Sequence, residues 1–509
     1  MDARDPGSRR RLSSSLRSLL LQGSDAGAHT TAIPVLDQQL ATRVIELAVR
    51  TGETMLVAGA PASEVTRTIV RIAAAYGLHP LHVDVTYNSI TAAGRAADGA
   101  PVTTLRVVRG AAPDHAKLQR LQALQAEISA GLPLVEAEER CRTIRRTPFR
   151  YRPVVVIAAQ ALLAVGVAVM FGVNPLNMAL AFVAAALAAL TQYLLARASV
   201  PFFFSQIAGG FVLTLVAALT PLLARTGWDQ AASIRPSVIV ASGIVLMLAG
   251  LTVVGAAQDA IDGFALTALG RLLELVTQTV GVVLGILLGL ELARVLGFAM
   301  APPSQALPLG PLGLQFLGAA IIAVAVAVYN GAGLRIVVIS AALSFVAWAG
   351  FVAASALGFD TAAASGAGAF LGSVLGIVIA FRLHVPSVAI TIAAILPMVP
   401  GAAVFRGLLT IVESGDDPTL LLAGAVTLAA AATVGVSLAV GASLGIYLGQ
   451  PLTATLRGVT RSRATAPVRE RSSLASPSPP ARAAPEGRRR APRRAGAAAH
   501  PSPPTSSRR

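Results

Sequence analysis

Residues 153–201 read PVVVIAAQALLAVGVAVMFGVNPLNMALAFVAAALAALTQYLLARASVP, and no charged side chain appears in them before Arg197. A helix that crosses hydrocarbon needs about 20 consecutive apolar residues, so this stretch holds two. Its own punctuation divides it: glycine, asparagine and proline between Phe171 and Pro175, then charge and proline from Arg197 to Pro201. The pattern continues to about residue 449, with candidate spans starting near Val154, Leu176, Phe202, Ser237, Leu272, Leu314, Ile336, Ala363, Ser387 and Leu420, which makes ten. The breaks between them each carry a charge, proline, glycine or asparagine.

Working outward, composition agrees. Only 13% of the 509 residues are charged, against about 25% in a soluble domain, and the mean hydropathy is +0.69. The formal net charge of +16 would suit nucleic acid, yet from Arg457 onward thirteen Arg face only Glu470 and Glu486. The excess therefore belongs to a basic tail, for which anionic lipid is the simpler partner. No recognition-helix or base-stacking pattern appears, so no nucleic-acid partner is expected. Cys141 is the only cysteine, which rules out an intramolecular disulfide and a cysteine zinc cluster.

Four regions follow: a disordered leader (1–36), a small cytoplasmic α+β domain (37–150), a transmembrane domain (151–450) and a disordered basic tail (451–509). The leader resembles a signal peptide, but Arg17 interrupts its short apolar stretch. In the second region, Asp37 to Val57, Pro61 to Tyr76, Leu118 to Ile128 and Pro133 to Ile144 read as helices. Leu81, Val83 and Val85 alternate with His82, Asp84 and Thr86 as a half-buried strand does, and Val102 to Val108 reads as its partner. Arginines at 142, 145, 146, 150 and 152 precede the first span, and Arg457, Arg461 and Arg463 follow the last. With an even number of spans, both termini are cytoplasmic.

PSVIVASGIVLML from Pro236 and PSVAITIAAILPM from Pro386 lie about five spans apart. A repeat of five spans inverts its second copy, an arrangement that transporters use to alternate access. The fold expected is thus an all-α polytopic membrane bundle of about ten transmembrane helices, a possible 5+5 inverted repeat, with an N-terminal α+β domain.

Soluble catalysis finds little support: there is no GxSxG elbow, Walker loop or HExxH. His79, His82 and Asp84 could contribute to a metal site, but solvated strand polarity accounts for them. No metal or cofactor enters this reading, and no enzymatic activity. Gly281, Gly285 and Gly289, and likewise Gly368, Gly372 and Gly376, repeat every four residues and read as helix-packing faces.

Ionisable groups in apolar surroundings are more telling, because hydrocarbon disfavours charge by about 2.5–3.5 kcal/mol. Asp259, Asp262, Arg271 and Glu274 cluster in GAAQDAIDGFALTALGRLLEL. Two readings stand: a cytoplasmic loop with a surface Arg271–Glu274 pair, or a gate or proton relay. In AAILPMVPGAAVFRGL, Pro397 and Pro400 remove backbone donors and Gly401 permits unusual dihedrals, so the helix should break and free carbonyls for solute. Arg406, further along, could grip a carboxylate or reach the interface. Asn174, Gln206, Asn330 and Ser387 could line a route or join helices.

Three segments resemble the threonine/serine exporter family of bacterial inner-membrane transporters: TGETMLVAGAPASEVTRTIVRIAAAYGL with the following HVDVTYNSI, QDAIDGFALTALGRLLE, and LPMVPGAAVFRGL. The resemblance spans about residues 37 to 449. It implies a cytoplasmic N-terminal domain, ten spans, and export of threonine and serine driven by the proton gradient. Carried onto matching positions, it marks Gly59 and Glu64 in the N-terminal domain, Asp259, Gly263, Arg271 and Glu274 in the middle, and Pro397, Pro400, Gly401, Arg406 and Gly407 near the end. Where the family places a proline-glycine pair before the first-half aspartate, this chain has Ala249 and Gly250. The partners so implied are a small amino acid, protons and the lipid bilayer. The alternative is a membrane-anchored sensor or scaffold with a ligand-binding N-terminal domain.

Overall fold

The computed structural model describes residues 37–108, 110, 112–226, 233–247, 250–298, 308–383 and 385–464; the leader, most of the tail and Ala249 lie outside the described residues. The first elements are α1 (Gln38–Val57) and α2 (Ala62–Ala75). Asp37 caps α1 by accepting from the Leu40 N–H at 2.7 Å. Gly59, at φ +94°, makes the turn that reverses the chain into α2, a conformation that a Cβ disfavours.

Strands β1 (Leu81–Thr86), β2 (Ser89–Arg95) and β3 (Pro101–Val107) form an antiparallel sheet in that order. The expected pairing of the first and last is corrected: β2 lies between them, with Val85 opposite Ile90 and Ala92 opposite Thr104. SITAAGR is poor in β-branched and aromatic residues and advertises no strand by itself; its neighbours on both sides make it one. Helices α3 (His115–Ser129) and α4 (Leu134–Arg146) complete the layer. Ile45, Ile69, Ile72, Ile90, Leu118 and Leu121 are fully buried between helices and sheet.

The apolar region folds into α5 (Pro153–Met170), α6 (Pro175–Arg197), α7 (Phe202–Leu219), α8 (Pro236–Met247), α9 (Gly250–Ile261), α10 (Ala265–Val295), α11 (Leu312–Tyr329), α12 (Leu334–Ala356), α13 (Thr361–Leu383), α14 (Ser387–Ile395), α15 (Gly401–Glu413) and α16 (Pro418–Ala464). Pro153 and Pro175 sit in first turns, where a missing N–H costs nothing. Layer and bundle belong to one compact unit.

Among the described residues eight helices are long and apolar enough to span a membrane, or nine if the bent pair Ala389–Met398 and Gly401–Glu413 counts as one. The expected ten is not reached, and two places account for the difference. The span expected from Ser237 is described as α8 and α9, 12 residues each, with residues 248 and 249 between them outside the described residues, and neither piece by itself reaches the length of a span. The span expected from Ser387 is the bent pair of α14 and α15, which counts only if the two are taken together; the span expected from Leu272 is α10, which starts at Ala265, runs 31 residues and is among the eight. Only the turn Asp262–Phe264 separates α9 from α10, and Gly263 makes it at φ +89°.

Two apolar cores organise the bundle. One gathers α5, α11, α12, α13 and α16, for example Leu163, Ile322, Trp348 and Leu438. The other gathers α6, α7 and α10, for example Ala184, Leu213 and Ile286. The short helices are shared. From α8, Ile239 and Ile244 join the second core, whereas Val254 of α9 joins the first. From α14, Ile390 and Ile395 join the first, whereas Phe405 and Leu409 of α15 join the second. The bent pair α14–α15 thus contributes one half to each core, and α8 and α9 likewise belong to different cores. Gly281, Gly285 and Gly289 set α10 against α7 so closely that a Cβ at Gly285 would strike the Ile207 carbonyl, the packing their spacing predicts.

Candidate functional site

The α9–α10 corner is where layer and bundle meet. Phe264 packs against the core of the layer, and the Thr267 hydroxyl donates to the Val85 carbonyl at 3.1 Å. Asp259, on the last turn of α9, is 0% exposed. Its Oδ2 stands 3.2 Å from Nε of Arg271, and its Oδ1 accepts from the Ala62 N–H at 3.3 Å. That N–H opens α2, where backbone donors lack intrahelical partners and the helix dipole favours negative charge. Gly255 leaves room for the guanidinium, since a Cβ there would lie 2.6 Å from Nη1 of Arg271.

One turn along α10, Glu274 accepts from the Tyr87 hydroxyl at 2.9 Å. Tyr87 occupies the tight turn between β1 and β2, and its ring lies on Gly270, where a Cβ would meet ring carbons at 2.5 to 2.8 Å. Burial, with the carboxylate of Glu274 adding to it, pushes the phenol up to about 12, so it stays a donor at neutral pH. The expected Arg271–Glu274 pair is therefore corrected: each has a different partner, Asp259 for the cation and Tyr87 for the anion.

A cavity of 270 Å³ lies beside these groups. Gly59, Tyr87 and His115 wall it from the layer; Arg271, Glu274 and Asn330 wall it from the bundle, and Ile392 and Ile395 bring in α14. The His115 N–H donates to the Asn330 carbonyl at 2.8 Å, joining the start of α3 to the end of α11. The side-chain Nδ1 of His115 and Nδ2 of Asn330 have no hydrogen-bond partner among the described residues, although the two residues are only 4% and 1% exposed. Burial pushes the His115 imidazole down to about 4, so the ring is neutral. Buried polar atoms left unpaired are costly, and two of them beside one cavity mark it as a place for a polar guest.

A family model for threonine/serine exporters matches residues 46–293, and a second, described as "Threonine/Serine exporter, ThrE", matches residues 315–447. A "Probable threonine/serine exporter" of Mycobacterium tuberculosis is 32% identical over 448 residues, 85% of this chain and 80% of its own length. The chain belongs to the threonine/serine exporter family. A "Threonine/serine exporter" of Corynebacterium glutamicum is likewise 32% identical, over 420 residues, 78% of this chain and 83% of its own. No solved structure matches.

The site residues expected from the sequence do not all converge. Gly59, Arg271, Glu274 and Asn330 reach the cavity wall, and Asp259 stands behind it on Arg271. Glu64 turns instead to α3, where its Oε1 accepts from the Gln122 amide at 2.5 Å, and burial raises its carboxyl above the usual range. Asp262 lies in the α9–α10 turn. Pro397, Pro400 and Gly401 form the break between α14 and α15, where the chain bends by 52°. Ser387 begins α14. Arg406 is on α15, half-buried, with no carboxylate partner among the described residues, and does not line the cavity. Among those residues no group of three His, Cys, Asp or Glu is placed to hold a metal.

Tyr87, His115, Gly255 and Thr267 escaped sequence reasoning. Tyr87 had one signal, its place in the family-like HVDVTYNSI. A lone histidine opening a helix, like a glycine or threonine inside one, has no local mark of function.

Proposed function

We propose that this member of the threonine/serine exporter family is a secondary transporter that carries threonine and serine outward in exchange for protons, with no enzymatic step. The observation that carries the reading is the cavity where Arg271 and Glu274, opposite in charge, meet the unpartnered amide nitrogen of Asn330. An amino acid is a zwitterion, and a paired cation and anion complement its two ends. At 270 Å³ the cavity falls just below the roughly 300–1,000 Å³ of pockets for drug-sized ligands, which suits a small solute.

In this proposal Arg271 holds the solute carboxylate, Asn330 meets the hydroxyl, and the carboxylates of Glu274 and Asp259 attract the ammonium group. A proton bound to either carboxylate removes the charge that held the ammonium. Solute and proton then exclude one another, the condition for exchange in opposite directions. The break at Pro397, Pro400 and Gly401 is the hinge, with Ser387 and Arg406 along the route and Asp262 at the gate. Rocking of one core against the other around the short helices alternates access, and the division of α8 and α9, as of α14 and α15, between the two cores supports a five-plus-five inverted arrangement. That arrangement counts α8 with α9 as a crossing, which puts both termini in the cytoplasm of a bacterial inner-membrane protein, residues 37–150 as a cytoplasmic domain and 151–450 as the transporter.

Proteoliposomes with an imposed pH gradient and labelled threonine or serine test it. Uptake or release that follows the gradient supports exchange, and movement indifferent to the gradient overturns proton coupling. No movement of either amino acid overturns the substrate assignment.

A further inference from the structure

The α+β layer holds another cavity, of 630 Å³, between α1, β3 and α4. Arg43, Arg50, Arg106, Arg142, Arg145 and Arg146 line it. Among the described residues Glu46 and Glu138 are the only carboxylates on the same wall, so the described lining carries a surplus of four positive charges. None of these residues takes part in the transport reading above.

The carboxylates are already in use. Glu138 accepts from Nε and Nη2 of Arg43 at 3.1 and 2.7 Å. Glu46 is shared by Arg50 and Arg106, the latter at 2.9 Å. Arg142 turns to Glu139, off the wall, at 3.2 Å. The nearest carboxylate to Arg145 is Glu53 at 3.9 Å, too far for a hydrogen bond, and Arg146 has no ion pair among the described residues. The Nε of Arg50 is buried without a hydrogen-bond partner among the described residues. Like charges gathered this way repel one another, and nothing in the layer's apolar core requires them.

We infer that this pocket binds a small, multiply charged, phosphate-bearing anion. Guanidinium forks match phosphate oxygens two by two, and arginine is the side chain suited to that planar recognition. A single carboxylate would leave most of the surplus unopposed, whereas a di- or polyphosphate group offsets it. Among the described residues no aromatic ring lines the pocket, and Leu47 and Cys141 are its apolar members, so it reads charge and offers no platform for stacking a base. Phosphate of this kind comes either free in solution or on the headgroup of an anionic lipid.

Titration calorimetry on the full chain in neutral detergent, with inorganic pyrophosphate as the probe, tests the site. Saturable binding is expected, weakened at least tenfold in the Arg145→Gln/Arg146→Gln variant at unchanged melting temperature. An Arg120→Gln control, outside the pocket, should bind normally. If pyrophosphate does not bind but phosphatidylglycerol vesicles retain the chain more than phosphatidylcholine vesicles do, and the double variant loses that preference, the phosphate belongs to a lipid headgroup. Absence of binding to both probes overturns the proposal. So does binding that the double variant keeps in full, which is what the basic tail alone would give.

Discussion

The carboxylate of Asp259 and the guanidinium of Arg271, 3.2 Å apart, form an ion pair across the turn that joins two helices, on the boundary between the sheet-bearing layer and the bundle. Asp259 is wholly buried, and the Arg271 side chain is 18% exposed. Removing one member of a buried pair costs about 3–5 kcal/mol, because the other charge is left behind; partial exposure of Arg271 reduces this to about 2–3 kcal/mol. Asp259→Asn should therefore lower the melting temperature and abolish proton-driven threonine flux. The double variant Asp259→Asn/Arg271→Gln should regain most of the stability and none of the flux. Wild-type flux in Asp259→Asn would remove this carboxylate from the coupling scheme.

Tyr87 and Gly270 hold the β1–β2 hairpin on α10. Tyr87→Phe deletes one hydrogen bond to a carboxylate, worth about 1.5–3 kcal/mol, while keeping the ring on Gly270. Gly270→Ala puts a methyl group into that ring and should displace the hairpin more. Hydrogen exchange at the amides of residues 81–95 should accelerate in both variants, more in the second. Unaltered protection in Gly270→Ala would show that the ring contact does not hold the hairpin.

His115 should make the contact between layer and bundle sensitive to acid. Its folded pKa, about 4, lies below the ordinary value of 6.5. The lowered value means that its contribution is fully present above pH 6.5 and is lost as pH falls through the folded value. By pH 5 about 2 kcal/mol should have gone, at 1.36 kcal/mol per unit. Melting temperatures at pH 7.5 and pH 5 should differ more for the native chain than for His115→Asn. Identical pH profiles for the two would contradict a neutral, buried imidazole.

The 52° bend between α14 and α15 arises where Pro397 and Pro400 withhold two N–H groups. Pro397→Ala/Pro400→Ala restores those donors and favours a continuous helix. Flux should fall at least tenfold while membrane insertion and detergent extraction stay normal. Retained flux would mean that the break is not the hinge.

Much of this protein was legible along the chain because the signals are local. Alternating Leu81, Val83 and Val85 produced a strand, Asp37 capped a helix, the apolar stretch from Pro153 made membrane-length helices, and two prolines with a glycine broke one of them. The family, too, could be read from three short segments. Local signals were silent or misleading wherever a neighbour from far along the chain set the outcome. SITAAGR became the central strand because strands on either side offered hydrogen bonds. Arg271, three residues from Glu274 and ready to pair with it, chose Asp259, because the Gly263 turn brings α9 back beside α10 and a buried carboxylate gains more from a cation than an exposed one does. Spacing and hydropathy alone determined that the chain lives in a membrane and that one helix breaks at Pro397 and Pro400. Only the tertiary structure decided which charges meet, that the Nδ1 of His115 and the Nδ2 of Asn330 are buried beside one cavity without hydrogen-bond partners among the described residues, and how α8 and α9, like α14 and α15, divide between two cores, since burial and long-range pairing are properties of the assembled fold.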